Sequence, residues 1–393
     1  MTNSEPRVHY LVCPAGIPNY GDELIAGTWL RYLAQVAPDA DVVVDCLYPG
    51  TAAGHLGGIH PRARFTSTLW QLCLRHWPDG GAAVACRAVE RAVRDPASVP
   101  ELADGIAALH RAEVAHLLGG GCLNAIWPYF AGLLAGVATA AEATGARTAM
   151  TGQGLWPPAD GTGLTQSLIK RFDVVDVRDA PSAGFAGLAP RADHCDDVFL
   201  GFGPHLLDTD EEAPEVMVSV QSLLTESQDA AEETVRFVAE VLRAWRVTDV
   251  GLLECAPNQD QGVLAVAEKL LPGARRYPLD QVLAHGLPVR AGQCWISTRF
   301  HAHLVAAAAG ASGVALDVRA DYYGTKHRSL IDGGSSWQLL QRREIPERPA
   351  AGGYRAERTA ELRAAKLAVA ERIYRPSPSV SSSASICSAD AVE

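Results

Sequence analysis

Lysine is scarce in this chain. Lys170, Lys269, Lys326 and Lys366 are its only examples, and arginine carries the remaining basic charge. The 34 basic residues face 45 acidic ones, for a net charge of −11. That balance excludes a sequence-independent nucleic-acid binder. An anionic small substrate would need a local cluster of arginines inside an acidic exterior. Long apolar runs are also missing. No stretch reaches the roughly 18 uninterrupted apolar residues of a membrane span; residues 304–316 come nearest and are broken by glycine. Residues 1–7 are polar, and the apolar run after them is too short for a signal peptide. The nine cysteines (Cys13, Cys46, Cys73, Cys86, Cys122, Cys195, Cys255, Cys294 and Cys387) form no CxxC pair. Neither a zinc ribbon nor a redox motif is indicated, and most read as reduced core thiols. These absences place the protein in the cytoplasm.

What is present is ordinary globular composition, 48% hydrophobic and 20% charged over 393 residues, with room for two domains and a core that needs no staple. Short apolar strands alternate with turns and helices. Strands are predicted at 9–13, 41–46, 114–118, 147–151 and 174–177, with helices near 24–37 and 128–144 and a Ser182-capped helix after the last strand. Residues 50–80 read as a long loop with short helices, and 84–112 as helices broken by proline. A second series has strands at 216–220, 250–253, 294–297 and 313–318 and helices at 229–246, 260–271 and 301–309. This is the pattern of parallel, doubly wound α/β sheets. The predicted domains are 1–207 and 215–345, joined by an acidic linker at 208–214. A helix near 355–374 would pack on either domain, ahead of a disordered serine-rich tail at 376–393.

The strand ends carry the chemistry. Ile296-Ser297-Thr298-Arg299-Phe300-His301 sits at a strand-to-helix switch, where ligands of α/β proteins bind. Helix N–H groups there attract anions, Arg299 offers a planar fork of donors, and His301 could move a proton near neutral pH. Asn19-Tyr20-Gly21-Asp22-Glu23 brings Asp22 or Asn19 to a helix start, as a cap or as a site residue. Gly119-Gly120-Gly121 follows a strand and either cradles a ligand or makes a bare tight turn. Gly152-Gln153-Gly154 precedes Trp156, read as a buried tryptophan at a domain edge or a platform for a sugar ring. Arg178-Asp179 is a second strand-end arginine, or a self-paired surface couple. Tyr322, Tyr323 and Lys326 either close over a ligand or form an ordinary loop. His194-Cys195-Asp196-Asp197 are consecutive, and His301 and His303 are two apart; neither spacing suits a shared metal, so no metal site is expected.

In this order the turns resemble the polysaccharide pyruvyl transferase family. The similarity runs from about residue 8 to 330: the Asn19 to Glu23 core, Leu117 to Gly121, Gly152 to Gly154 with Pro157, Val177-Arg178-Asp179 with Ser182, Asp196-Asp197, Ser297 to His301, and Tyr323 with Lys326. The resemblance implies two Rossmann-like domains facing across a GT-B-like cleft, with the acceptor on the first and the donor on the second. It implies transfer of the enolpyruvyl group of phosphoenolpyruvate onto two hydroxyls of a sugar or glycan precursor, giving a pyruvate ketal and phosphate. Arg178 and Arg299 would then bind the donor, His301 would protonate its methylene carbon, and Asp22 would orient or deprotonate a sugar hydroxyl. Asn19, Gly119, Gly120, Gly121, Gln153, Ser297, Thr298, Tyr323 and Lys326 would complete substrate binding. No cofactor is needed, because the donor carries its own leaving group. Residues 50–112 match nothing and are candidates for acceptor-specific loops. The alternatives are a nucleotide-sugar glycosyltransferase of the same architecture, using Glu254 or Asp260 on a ribose, and a non-catalytic sugar-binding relative.

Overall fold

The pentapeptide VHYLV at 8–12 is buried at every position, as a strand covered on both faces must be. In the computed structural model, which describes residues 7–78, 80–158, 163–209, 212–222, 227–341 and 343–375, it forms β1 (Val8–Val12). The strands that join it are β2 (Asp41–Asp45), β3 (Ala63–Thr66), β4 (Ala112–Leu117), β5 (Arg147–Gln153) and β6 (Val174–Val177). Their order is β3-β2-β1-β4-β5-β6 and every pairing is parallel. Next in the chain come β7 (Leu207–Asp208), β8 (Val216–Ser219), β9 (Val250–Leu253), β10 (Arg275–Tyr277), β11 (Leu287–Pro288), β12 (Cys294–Ser297), β13 (Ser312–Leu316) and β14 (Gln338–Leu340). Six of these make a second parallel sheet, ordered β10-β9-β8-β12-β13-β14. Counted within its own half, each sheet runs 3-2-1-4-5-6, the dinucleotide-fold order, whose crevice opens where the order reverses. Two Rossmann-like domains therefore face each other across a cleft in the GT-B-like arrangement.

Some expectations need adjustment. The run 63–66, expected within a loop, is edge strand β3; it is only half-buried and lacks the apolar run that marks a central strand. The stretch 208–214 is not purely a linker. It starts in β7, which pairs with β11, and Asp210 and Glu211 lie outside the described residues. The helix after β6 (Ala180–Ala186) is capped by Asp179, whose carboxylate accepts the Ser182 N–H at 2.8 Å. Ser182 instead accepts from Leu155 N. Trp156 is 39% exposed rather than buried. The eight cysteines among the described residues form no disulfide, and seven of them are buried. The serine-rich tail lies outside the described residues. No helix among them is long and apolar enough to cross a membrane.

The helix Ala356–Tyr374 chooses the first domain. Its buried Lys366 reaches Asp176 Oδ2 at 2.5 Å, the Cys195 carbonyl at 2.7 Å and Asp197 Oδ1 at 3.1 Å. The Tyr374 hydroxyl is 2.8 Å from His116 Nδ1 on β4. The chain thus crosses back from the second domain to stitch the underside of the first.

Candidate active site

Helix Tyr20–Val36 follows β1, and its cap is Asn19, which accepts the Gly21 N–H at 3.1 Å. Asp22 is thereby released from capping. It stands half-buried in the wall of a cavity of about 510 Å³ between the domains. The opposite wall is helix Phe300–Ala308, which starts directly after β12 and the Thr298-Arg299 corner. The two helix starts touch. A Cβ on Gly21 would lie 1.7 Å from His301 Nδ1, so no other residue fits under that ring. A backbone hydrogen bond from Tyr20 N to the Cys255 carbonyl, 2.8 Å, ties the same turn to the second domain.

His301 points its Nε2 at Asp196 Oδ2, 3.4 Å away. Burial pushes the Asp196 carboxyl up, but His301, Arg178 and the Val198 N–H outweigh it and hold it well below the usual carboxylate range. An anion of the first domain thus backs the imidazole of the second. The sequence offered Asp196-Asp197 only as a motif of the resemblance, with no role at the site; the pairing of Asp196 with His301 spans the two domains. Its neighbour Asp197 turns the other way. One oxygen accepts from Trp29 Nε1 at 2.8 Å, Gly119 N at 2.9 Å and Thr151 Oγ1 at 2.6 Å, so it is a structural hub beneath the glycine turn.

Arg178 follows β6 and is only 4% exposed. Its Nη1 lies 3.4 Å from Asp196 Oδ2, its Nε 3.8 Å from Asp179 Oδ2, and its guanidinium 4.6 Å over the Phe300 ring. Nε and Nη2 nevertheless have no protein hydrogen-bond partner. Buried donors left in that condition cost free energy unless a ligand satisfies them. Glycine at 154 is what lets the guanidinium in, since a Cβ there would sit 2.4 Å from Nη2. Arg299 differs: Nη2 is already paired with the buried Asp260, while Nε is buried without a hydrogen-bond partner. It is half committed within the protein.

The segment after β13 closes the cavity. Ala320–Gly324 forms one wide helical turn leading into helix Thr325–Asp332, not an ordinary loop. The Tyr322 hydroxyl donates to the Gly121 carbonyl at 3.0 Å, bridging the domains. Lys326 lies with Nζ 3.6 Å over the Tyr322 ring and 5.1 Å from the Tyr323 centroid. Burial and then the nearby Arg178 push its ammonium well below the ordinary lysine value, while Asp22 pulls the other way. Burial in turn raises the Asp22 carboxyl, opposed by His301, Lys326 and Arg178. The two cysteines in the wall, Cys122 and Cys255, are pushed up to about 12 by burial, so they are inert thiols rather than nucleophiles.

Of the residues predicted to form the site, the cavity gathers Asn19, Asp22, Gly121, Arg178, Arg299, His301, Tyr323 and Lys326. Five others do not line it. Gly119 donates to Asp197, and Gly120 bridges to Gln153. The Gln153 amide donates to the carbonyls of Leu117 and Leu118. Ser297 Oγ holds the Arg299 backbone, and Thr298 Oγ1 accepts Gln221 N. These groups shape the turns from behind. His303 is likewise turned inward, stacked 4.1 Å from Trp337 with Nδ1 3.0 Å from His327 Nδ1. Sequence reasoning gave Asp196 no role and Asp260 a different one, on a ribose, and it missed an aromatic wall, Trp70, Trp77, Trp127 and Phe130.

Comparison with known proteins adds to this geometry. Residues 19–191 match the family model described as polysaccharide pyruvyl transferase. The match takes in Asp22, the glycine turn and Arg178, and ends before Asp196, Arg299 and His301. No curated protein matches the chain. Among solved structures, S. aureus MnaA in complex with UDP superposes with a TM-score of 0.51 at 12% identity, covering 94% of this chain and 89% of that one. A UDP-GlcNAc 2-epimerase from Neisseria meningitidis bound to UDP-GlcNAc gives 0.48 at 9% identity, covering 93% and 91%. At such identities the MnaA likeness speaks to the fold alone.

Proposed function

We propose that this chain, whose residues 19–191 carry the polysaccharide pyruvyl transferase pattern, moves the enolpyruvyl group of phosphoenolpyruvate onto two hydroxyls of a sugar. The observation that carries the reading is Arg178: two buried donors without protein hydrogen bonds, in an interdomain cavity, beside an aspartate-backed histidine. Phosphoenolpyruvate is a small dianion-plus-carboxylate whose methylene carbon must accept a proton, and these groups meet both needs.

In the proposed mechanism Arg178 and the free edge of Arg299 hold the phosphate and carboxylate. The His301 imidazolium protonates C3, turning the methylene into a methyl and leaving C2 electron-poor. A sugar hydroxyl attacks C2 while Asp22 accepts its proton. The C2–O bond to phosphate then breaks, and a second hydroxyl closes the ketal. Of the two hydroxyl protons lost, one restores His301 and the other leaves with phosphate. Asp196 acts through His301, holding the ring from its Nε2 side. The reaction uses a cytoplasmic metabolite, and we place the protein in the cytoplasm.

The glycosyltransferase alternative wanted Glu254 or Asp260 for a ribose. Glu254 is paired with Arg276 and Asp260 with Arg299, which disfavours it. The test is calorimetric titration of phosphoenolpyruvate, in parallel with a panel of nucleotides, into the protein and its Arg178→Ala variant. Phosphoenolpyruvate binding that disappears in the variant supports the reading. Nucleotide binding with no response to phosphoenolpyruvate overturns it.

A further inference from the structure

The cavity is bipolar. Its basic side chains, Arg178, Arg299, Lys326 and His301, come from the end of the first domain's sheet and from the second domain. The lining that the first domain supplies from segments 47–48, 70–77 and 127–130 has no charged side chain at all. It is built of Leu47, Tyr48, Trp70, Leu74, Trp77 and a Trp127–Phe130 cluster.

Part of this wall is rigid and part is open. Trp70 is buried, its indole N–H donates to the Asp45 carbonyl at 3.1 Å, and its ring meets Phe130 edge-on at 4.7 Å. In front of it, Tyr48, Leu74 and Trp77 are 59%, 39% and 63% exposed. Large apolar side chains left in water around the mouth of one cavity are a recognition surface by their clustering, whereas scattered ones are not. Aromatic faces offer dispersion and stacking to a sugar ring and to any apolar group attached to it.

Charge supply decides what the attached group is. A sugar carried on a diphosphate brings at least two negative charges at its anomeric end. Desolvating them against this wall would leave them without counter-ions. The basic groups at the far end cannot serve both substrates. The donor engages Arg178 and the free edge of Arg299, Asp260 already offsets the Arg299 charge, and Lys326 lies over the Tyr322 ring with burial disfavouring its ammonium.

We propose that the acceptor is a sugar glycosidically linked to an uncharged apolar aglycone, aryl or alkyl, which lies against Tyr48, Leu74 and Trp77. This specificity rests on the pyruvyl-transfer reading for the other end of the cavity, but its test does not. The probes are benzyl glycosides of glucose, galactose and mannose, the corresponding free sugars, and UDP-glucose and UDP-galactose. Each is titrated into the full chain and followed by tryptophan fluorescence and calorimetry. At least one benzyl glycoside binds about tenfold or more tightly than its free sugar. Trp77→Ala and Tyr48→Ala each remove most of that gain while leaving phosphoenolpyruvate titrations unchanged. Both positions are exposed, so these variants keep the fold, which circular dichroism verifies. A UDP-sugar that binds as tightly as any benzyl glycoside, a benzyl group that adds nothing, or a gain untouched by both variants overturns the proposal. Failure of phosphoenolpyruvate to bind, with the benzyl preference intact, overturns the donor reading and leaves this one standing.

Discussion

Oδ2 of Asp196 lies 3.4 Å from Nε2 of His301, a carboxylate of the first domain backing an imidazole of the second. The acid–base group is therefore completed only when the two domains are together.

Removing that imidazole is the most direct test of its role. His301→Asn is expected to lower kcat by ~10²–10⁴-fold with phosphoenolpyruvate affinity largely kept. Asp196→Asn preserves the shape of the contact and is expected to cost less in kcat, with a changed pH profile. Steady-state phosphate release with acceptor across a pH series measures both.

The two arginines will not behave alike. Arg178→Ala removes two donors that make no protein hydrogen bond, together with the longer 3.4 Å contact to Asp196, and is expected to weaken phosphoenolpyruvate binding by about 2–5 kcal/mol. Arg299→Ala also strands the buried Asp260 carboxylate, so it should destabilise the fold by about 3–5 kcal/mol. Arg299→Ala combined with Asp260→Asn is expected to recover much of that stability without recovering binding. Calorimetry and urea midpoints separate the two effects.

Lys366→Ala leaves Asp176 and Asp197 without their shared cation. A loss of about 3–5 kcal/mol is expected, seen as a lower denaturation midpoint in a protein whose cavity residues are all unaltered.

Acid should destabilise the protein in a defined window. Burial lowers His9 and His327 from 6.5 to about 4 and His116 to about 3. Between 6.5 and these folded values the unfolded chain binds protons that the folded chain refuses. Stability therefore falls as pH drops from 6.5 toward 4, by about 1.4 kcal/mol per pH unit for each histidine. His9→Phe, which keeps a ring against Tyr374 (now 5.1 Å away), is expected to make the curve shallower in urea titrations at several pH values.

Much of the fold was legible because central strands of a parallel sheet are continuous apolar runs, as in β1, β8 and β12. Edge strands β3, β10 and β14 are short and half-wet, and escaped. At the site, the turn residues proved ambiguous for one physical reason. Glycines and hydroxyls that receive a ligand look in sequence like those that satisfy the turn's own backbone, and Gly119, Gln153, Ser297 and Thr298 proved to be the second kind. Asp22 and Asn19 could not be told apart as caps until the helix start was seen. The pairings of Asp196 with His301 and of Asp260 with Arg299 were hidden because the partners lie far apart in the chain and leave no local pattern. Of the aromatic wall, only Trp70 and Trp77 fall in the unmatched region, 50–112; Trp127 and Phe130 had no marker.

The returning helix bears on how the molecule is made. A distance of 171 residues separates Cys195 from Lys366, so at ribosomal speed the lysine arrives ~10–35 s after the carbonyl it binds. Through that interval the nascent first domain carries the carboxylates of Asp176 and Asp197 without their cation, and its glycine turn rests on an unfinished base. The half of the protein translated first is consequently among the last to be finished, and a ribosome stalled before residue 356 would display a domain with its sheet formed and its keystone missing.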